Sequence, residues 1–176
     1  ELMMPASEAD RAVLRELGER LAQIAALPVQ QEKIRLWKRL NGLQPERPMV
    51  MIDQVCWHEM QIQDELTPRV QDRFWRGVEM GMRRTLYQWA HMPVDMVVQP
   101  WLDIARASRD TGFGIQIDED RAVLDPANGV VGHLYHDTIK TEADIERIQT
   151  PRVTVDRETD ARREEEARSI FDGVMD

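Results

Sequence analysis

The chain has 176 residues, 42% of them hydrophobic, 31% charged and 6% aromatic, a composition that belongs to a folded protein and excludes disorder along its whole length. Thirty-two Asp and Glu against twenty-three Lys and Arg leave a formal net charge of -9, which repels phosphate backbones and anionic headgroups and sets nucleic-acid and membrane-surface binding aside. No window approaches the ~20 apolar residues of a membrane span, the single cysteine, Cys56, excludes an internal disulfide, and Glu1-Leu2-Met3-Met4-Pro5 has neither the basic nor the apolar region of a signal peptide. A cytoplasmic protein is expected.

Ser7 followed by Asp10 reads as a capping box, and Leu14, Leu17, Leu21 and Ile24 then recur at helical spacing until Pro28 stops the run. A second helix is predicted over 30–41, with Ile34, Trp37 and Leu40 on one stripe and Asn41-Gly42 supplying the left-handed residues that end it. Met49-Val50-Met51-Ile52 is an unbroken apolar run of the kind expected in a strand covered on both faces. Residues 53–66 show no period and read as a loop closed by Thr67-Pro68, where Thr caps a helix and Pro suits its first turn. The long helix that follows is marked by Val70, Phe74, Val78, Met82, Leu86 and Trp89 on one face, with Arg69, Arg73, Arg76, Arg83 and Arg84 mostly on the other. Pro93 ends it, and Val94-Asp95-Met96-Val97-Val98 reads as a second buried strand, so the order strand, helix, strand points to a crossover unit in a parallel sheet.

Beyond it a short helix over 104–109, a strand over 114–117 and a turn at Pro126-Ala127-Asn128-Gly129 form an excursion outside the sheet. Thr141 with Asp144 caps a short helix to about Gln149, and a charge-dense helix over 157–172 carries the spaced pairs Glu158/Arg162 and Glu164/Arg168. Residues 30–90 hold ten basic and eight acidic side chains, whereas 141–176 hold six and eleven, so the acidity sits in the last third.

Function in parallel α/β folds collects at the carboxyl ends of strands. After the first expected strand come Asp53, Cys56, Trp57, His58 and Glu59; after the second come Gln99, Trp101 and Asp103. Together they offer a base, a titrating imidazole and two tryptophan walls for a small, partly planar molecule. His58-Glu59 is not a zinc-peptidase motif, because position 62 is Ile rather than His. His133, His136 and Asp137 have no helix or Cys pair framing them as a metal site. Gly112-Phe113-Gly114 lacks the third glycine of a dinucleotide loop, and Asp118-Glu119-Asp120 lacks the alternation of a calcium loop.

Three segments resemble the amino-terminal part of the uroporphyrinogen decarboxylase superfamily, which includes cobalamin-dependent methyltransferases. They are Trp37–Val50, with its Glu46-Arg47-Pro48 step; Pro93–Val98 followed by Asp103; and Thr141–Pro151. The resemblance implies a (β/α)8 TIM barrel, here its amino-terminal portion over 45–176 preceded by a helical extension over 1–44, since a closed barrel needs ~250 residues. Such a portion made alone would expose strand edges and the apolar face of its long helix, so poor solubility or self-association is expected, and a cooperative, monomeric thermal melt followed by circular dichroism would contradict it.

The Arg-Gln-Ala-Gly-Arg stretch of true decarboxylases reads Asp53-Gln54-Val55-Cys56-Trp57-His58 here and lacks both arginines. The resemblance therefore favours the methyltransferase branch, acting on a small methylated substrate with a corrinoid carried by a partner protein and a zinc ion held outside this chain. In it Asp103 or His58 handles a proton, and Trp57, Glu59, Gln99 and Trp101 bind substrate. A homo-oligomer is compatible with it. A porphyrin-pathway decarboxylase and a non-catalytic truncated fragment are the alternatives.

Overall fold

α1 (Glu8–Ala25) begins where Ser7 Oγ accepts the amide of Asp10 at 3.1 Å. The second half of the expected capping box is absent, because the Asp10 carboxylate instead accepts the distant amide of Gln71 at 2.9 Å. α2 (Pro28–Asn41) starts two residues before its expected position, with Pro28 in the first turn, and buries Gln30, Lys33 and Leu36. That face is rotated from the apolar stripe read in the sequence. Gly42 caps the helix with φ -82°, and the left-handed residue is Leu43, at φ 58° and 90% exposed. The computed structural model describes residues 5–60, 64–124 and 131–175; the expected turn at Pro126–Gly129 lies outside them.

α3 (Arg73–His91) starts later than Thr67-Pro68 suggested, with Asp72 as its cap accepting the amide of Trp75 at 2.9 Å. The reason lies inside the helix. Glu79 is fully buried and accepts the amides of Arg69 (2.8 Å) and Val70 (2.8 Å), so those residues stay out of helical conformation. Its other partner is Arg83 Nε at 2.8 Å, an arginine expected on the solvent face. α3 therefore buries Trp75, Glu79, Met82, Arg83, Leu86 and Tyr87.

Short elements follow: β1 (Ser108–Asp110), β2 (Glu119–Ala122), β3 (Gly132–Tyr135), α4 (Glu142–Ile145), β4 (Val153–Val155) and α5 (Arg157–Phe171). The chain divides into two units, residues 1–105 with 161–176, and residues 106–160. In the first, Leu14, Leu17 and Leu21 of α1 pack with Trp75, Met82 and Leu86 of α3, with Val70 and Val98, and with Ile170 and Phe171 of α5. Gly18 gives Phe171 its place, since a Cβ there would come within 3.0 Å of the ring. Glu166 ties the same end together by accepting Ala6 N–H at 2.5 Å and Trp75 Nε1–H at 3.1 Å.

The second unit holds two antiparallel ribbons, β1 with β4 (Ser108 opposite Val155) and β2 with β3 (Glu119 opposite Tyr135). β1 overlaps the end of the stretch expected to be a short helix over 104–109, and 114–117 is not a strand. α4 has both halves of the Thr141/Asp144 capping box but stops at Ile145.

The expected barrel is thus overturned. Among the described residues the strands form only these two two-stranded antiparallel sheets, with no parallel pair and no barrel strand. Neither 49–52 nor 94–98 is a strand. Val50 and Met51 are 50% and 65% exposed, so that apolar run is covered on neither face. Val94 turns the other segment with φ 30°, and the amide of Val50 that a ladder would give to a carbonyl goes to the Asp95 carboxylate.

Glu79→Leu would leave Arg83 buried without its partner and two backbone amides unsatisfied, so we expect a loss of about 3–5 kcal/mol in urea unfolding. Glu164→Ala, which removes the exposed pair with Arg168, should leave the midpoint unchanged.

Candidate functional site

Between α2 and α3 the described residues have no regular structure apart from a 3-10 turn at Trp57–Glu59. Their backbone polar groups need partners from elsewhere. Asp95 supplies the first set. Its carboxylate takes Arg47 Nη2 at 2.5 Å, Arg47 Nη1 at 2.9 Å and the Val50 amide at 2.9 Å. Its amide donates to Val50 O at 3.1 Å, and its carbonyl accepts Trp37 Nε1–H at 2.8 Å. The Arg47 guanidinium first, and the Val50 amide second, hold the Asp95 carboxyl down at about 2, against the opposing effect of burial. Lys33 lies close by on α2, its Nζ 4.7 Å from the centre of the Trp89 ring, and burial pulls its ammonium below the ordinary lysine range.

The carboxyl-end half of α3 supplies the second set. Gln88 Nε2 donates to Ile52 O, and Arg83 Nη1 donates to Glu65 O at 3.3 Å. Tyr87 meets the edge of Trp57 with ring centres 6.1 Å apart, and the Arg84 guanidinium lies over the Trp57 ring at 5.4 Å. Tyr87 also contacts His91 at 4.2 Å, whose Nε2 is 3.1 Å from both oxygens of Glu65. Within the turn, His58 Nε2 stands 3.4 Å from Glu59 Oε1. Trp57, His58 and Glu59 are therefore gathered on one turn whose position α3 sets, with the exposed thiol of Cys56 just before it.

The residues after position 98 fall elsewhere. Asp103 lines an open groove of about 1140 Å³ along the face of α3 that carries Phe74, Gly77, Val78 and Gly81. None of Trp57, His58, Glu59, Gln99 or Trp101 lines it. Gln99 is half-buried and Trp101 is exposed. The candidate residues thus separate into a turn with an aromatic platform, an imidazole and a carboxylate, and a groove with Asp103 at its wall.

The residues missed in the sequence are Asp95 and Arg84. Asp95 was one letter in an apolar run, and only the Glu-Arg-Pro step forty-eight residues earlier hints at its partner. Arg84 was one of five arginines on a presumed solvent face. Among the described residues no group of three or more His, Cys, Asp or Glu side chains could hold a metal ion, and no helix is long and apolar enough to cross a membrane. Comparison of the chain with protein-family models, with curated proteins and with solved structures finds no match.

Asp95 carries a pH dependence whose sign follows from its lowered value. Its contribution to stability is complete above about pH 4 and is lost as the pH falls toward 2. Because Arg47 is itself 46% exposed, the contribution is on the order of 1–2 kcal/mol. We expect Asp95→Asn to be less stable by that amount at pH 7 in urea titrations, with the two proteins converging toward pH 2.

Proposed function

We propose that this chain belongs to a cytoplasmic enzyme of uroporphyrinogen decarboxylase-like type that transfers a methyl group from a small methylated substrate to a corrinoid on a partner protein. The observation that carries the reading is the convergence on Asp95. Trp37, Arg47 and Val50, all in the first resembling segment, bond to a single residue of the second. These four residues lie within the segments that carry the resemblance, and their bonds bring the two segments together. The loop after the first segment then carries a half-buried Trp57 with exposed His58 and Glu59 on one turn.

In this reading Trp57 is the face on which a flat substrate rests, and His58, with Glu59 at 3.4 Å, would give a proton to the substrate oxygen or nitrogen that loses its methyl group to the corrinoid. Between the two proton handlers that the resemblance offers, His58 stands beside the aromatic platform, whereas Asp103 lines the separate groove. The described residues assemble no zinc site. A zinc ion in such enzymes acts as a Lewis acid; in this reading its ligands and the corrinoid come from outside this chain.

The test uses the protein expressed from its complete reading frame. Incubated with cob(I)alamin and a panel of methanol, methylamines and methoxylated aromatics, it should form methylcobalamin, followed by the change in visible absorbance. His58→Ala should slow that reaction about 10²-fold or more with folding unchanged. Release of carbon dioxide from a porphyrinogen without methylcobalamin would return the decarboxylase to first place, and absence of both reactions would overturn the proposal.

A further inference from the structure

Arg84 differs from its neighbours in what it touches. Around the Trp57 turn Arg83 is paired with Glu79, His91 with Glu65 and His58 with Glu59. Among the described residues, no carboxylate lies within ion-pair distance of Arg84, which is exposed and lies over the Trp57 ring. A guanidinium held over an indole at 5.4 Å uses none of its five N–H donors on the ring, so they stay available to an anion. The ring contact has already restricted a long side chain, so little more freedom is lost when an anion binds. Trp57 is in turn held by the edge of Tyr87, and the strand of chain leading to it by Gln88 on Ile52 O.

We infer that Arg84 and Trp57 together form a site for a flat ligand bearing one carboxylate, the indole taking the flat body and the guanidinium the anionic group through paired N–H donors. This rests on the reading of the turn as a substrate site and names the substrate class it selects: a small methylated compound with an aromatic or otherwise planar body and a single carboxylate. One guanidinium matches one carboxylate. It does not match the several carboxylates of a porphyrinogen, which the Asp53 and Glu59 side chains on the same loop would also repel.

The experiment is an NMR titration of the full chain with benzoate and with benzamide, its uncharged counterpart. The indole N–H resonance of Trp57 is identified among the five tryptophans by its loss in Trp57→Phe. Benzoate should move that resonance and saturate at about tenfold lower concentration than benzamide. Arg84→Gln should abolish the preference, and Arg84→Lys should keep part of it. No shift with benzoate, an equal response to both probes, or an unchanged preference in Arg84→Gln would overturn the inference. Because binding is read without turnover, a benzoate preference without methyl transfer would remove only the proposed reaction. Methyl transfer without the preference would remove only this site.

Discussion

Glu79 lies at the centre of α3 with no exposure, and its two oxygens accept two backbone amides of the preceding segment and the guanidinium of Arg83. A buried carboxylate is costly unless every lone pair finds a donor, and here the donors come from chain that has no ladder or helix to satisfy it. The same exchange recurs at three other buried acids. Asp10 takes the amide of Gln71, Asp95 that of Val50, and Glu166 that of Ala6. In the first unit these carboxylates do for the irregular segments what a sheet would otherwise do. Removing one frees a segment of backbone as well as a charge.

This arrangement accounts for how an irregular loop can present a defined cluster. The chain from Gly42 to Asp72 is anchored near its start at Asp95, near Ile52 by Gln88, at Trp57 by Tyr87 and Arg84, and near its end by Glu79. Loops carry function when a rigid scaffold positions them, and α3 is that scaffold. Its apolar positions face α1 and the core, while Arg84, Tyr87, Gln88 and His91 near its carboxyl end serve the loop.

Much of the helical organisation was legible in the residues themselves. α1 announces itself by apolar spacing and its Ser7 cap, α3 by apolar spacing, α5 by charge pairs four residues apart, and the Thr141/Asp144 box is fully formed. These signals are local, governed by neighbours three and four residues away. The expected strands failed for a physical reason of another kind. Met49–Ile52 and Val94–Val98 have the composition of buried strands, but a strand exists only when another chain segment satisfies its amides and covers its faces. Composition is silent on both, and the (β/α)8 expectation fell with them. Likewise the solvent-facing reading of Arg83 failed because Glu79, a charged residue on an otherwise apolar face, drew it inward.

The candidate cluster divides in the same way. That Trp57, His58 and Glu59 would lie together follows from their adjacency in the chain, and that they lie in a loop follows from the missing period around them. Their relation to Arg84 and Tyr87, and the separation of Asp103 into a different groove, depend on contacts between residues far apart in the chain. Local spacing and capping chemistry suffice to write helices and turns into a sequence, because the interacting groups are near neighbours. Which buried acid meets which distant amide, and so which side chains share a site, is settled only when the folded chain must satisfy every buried donor and acceptor at once.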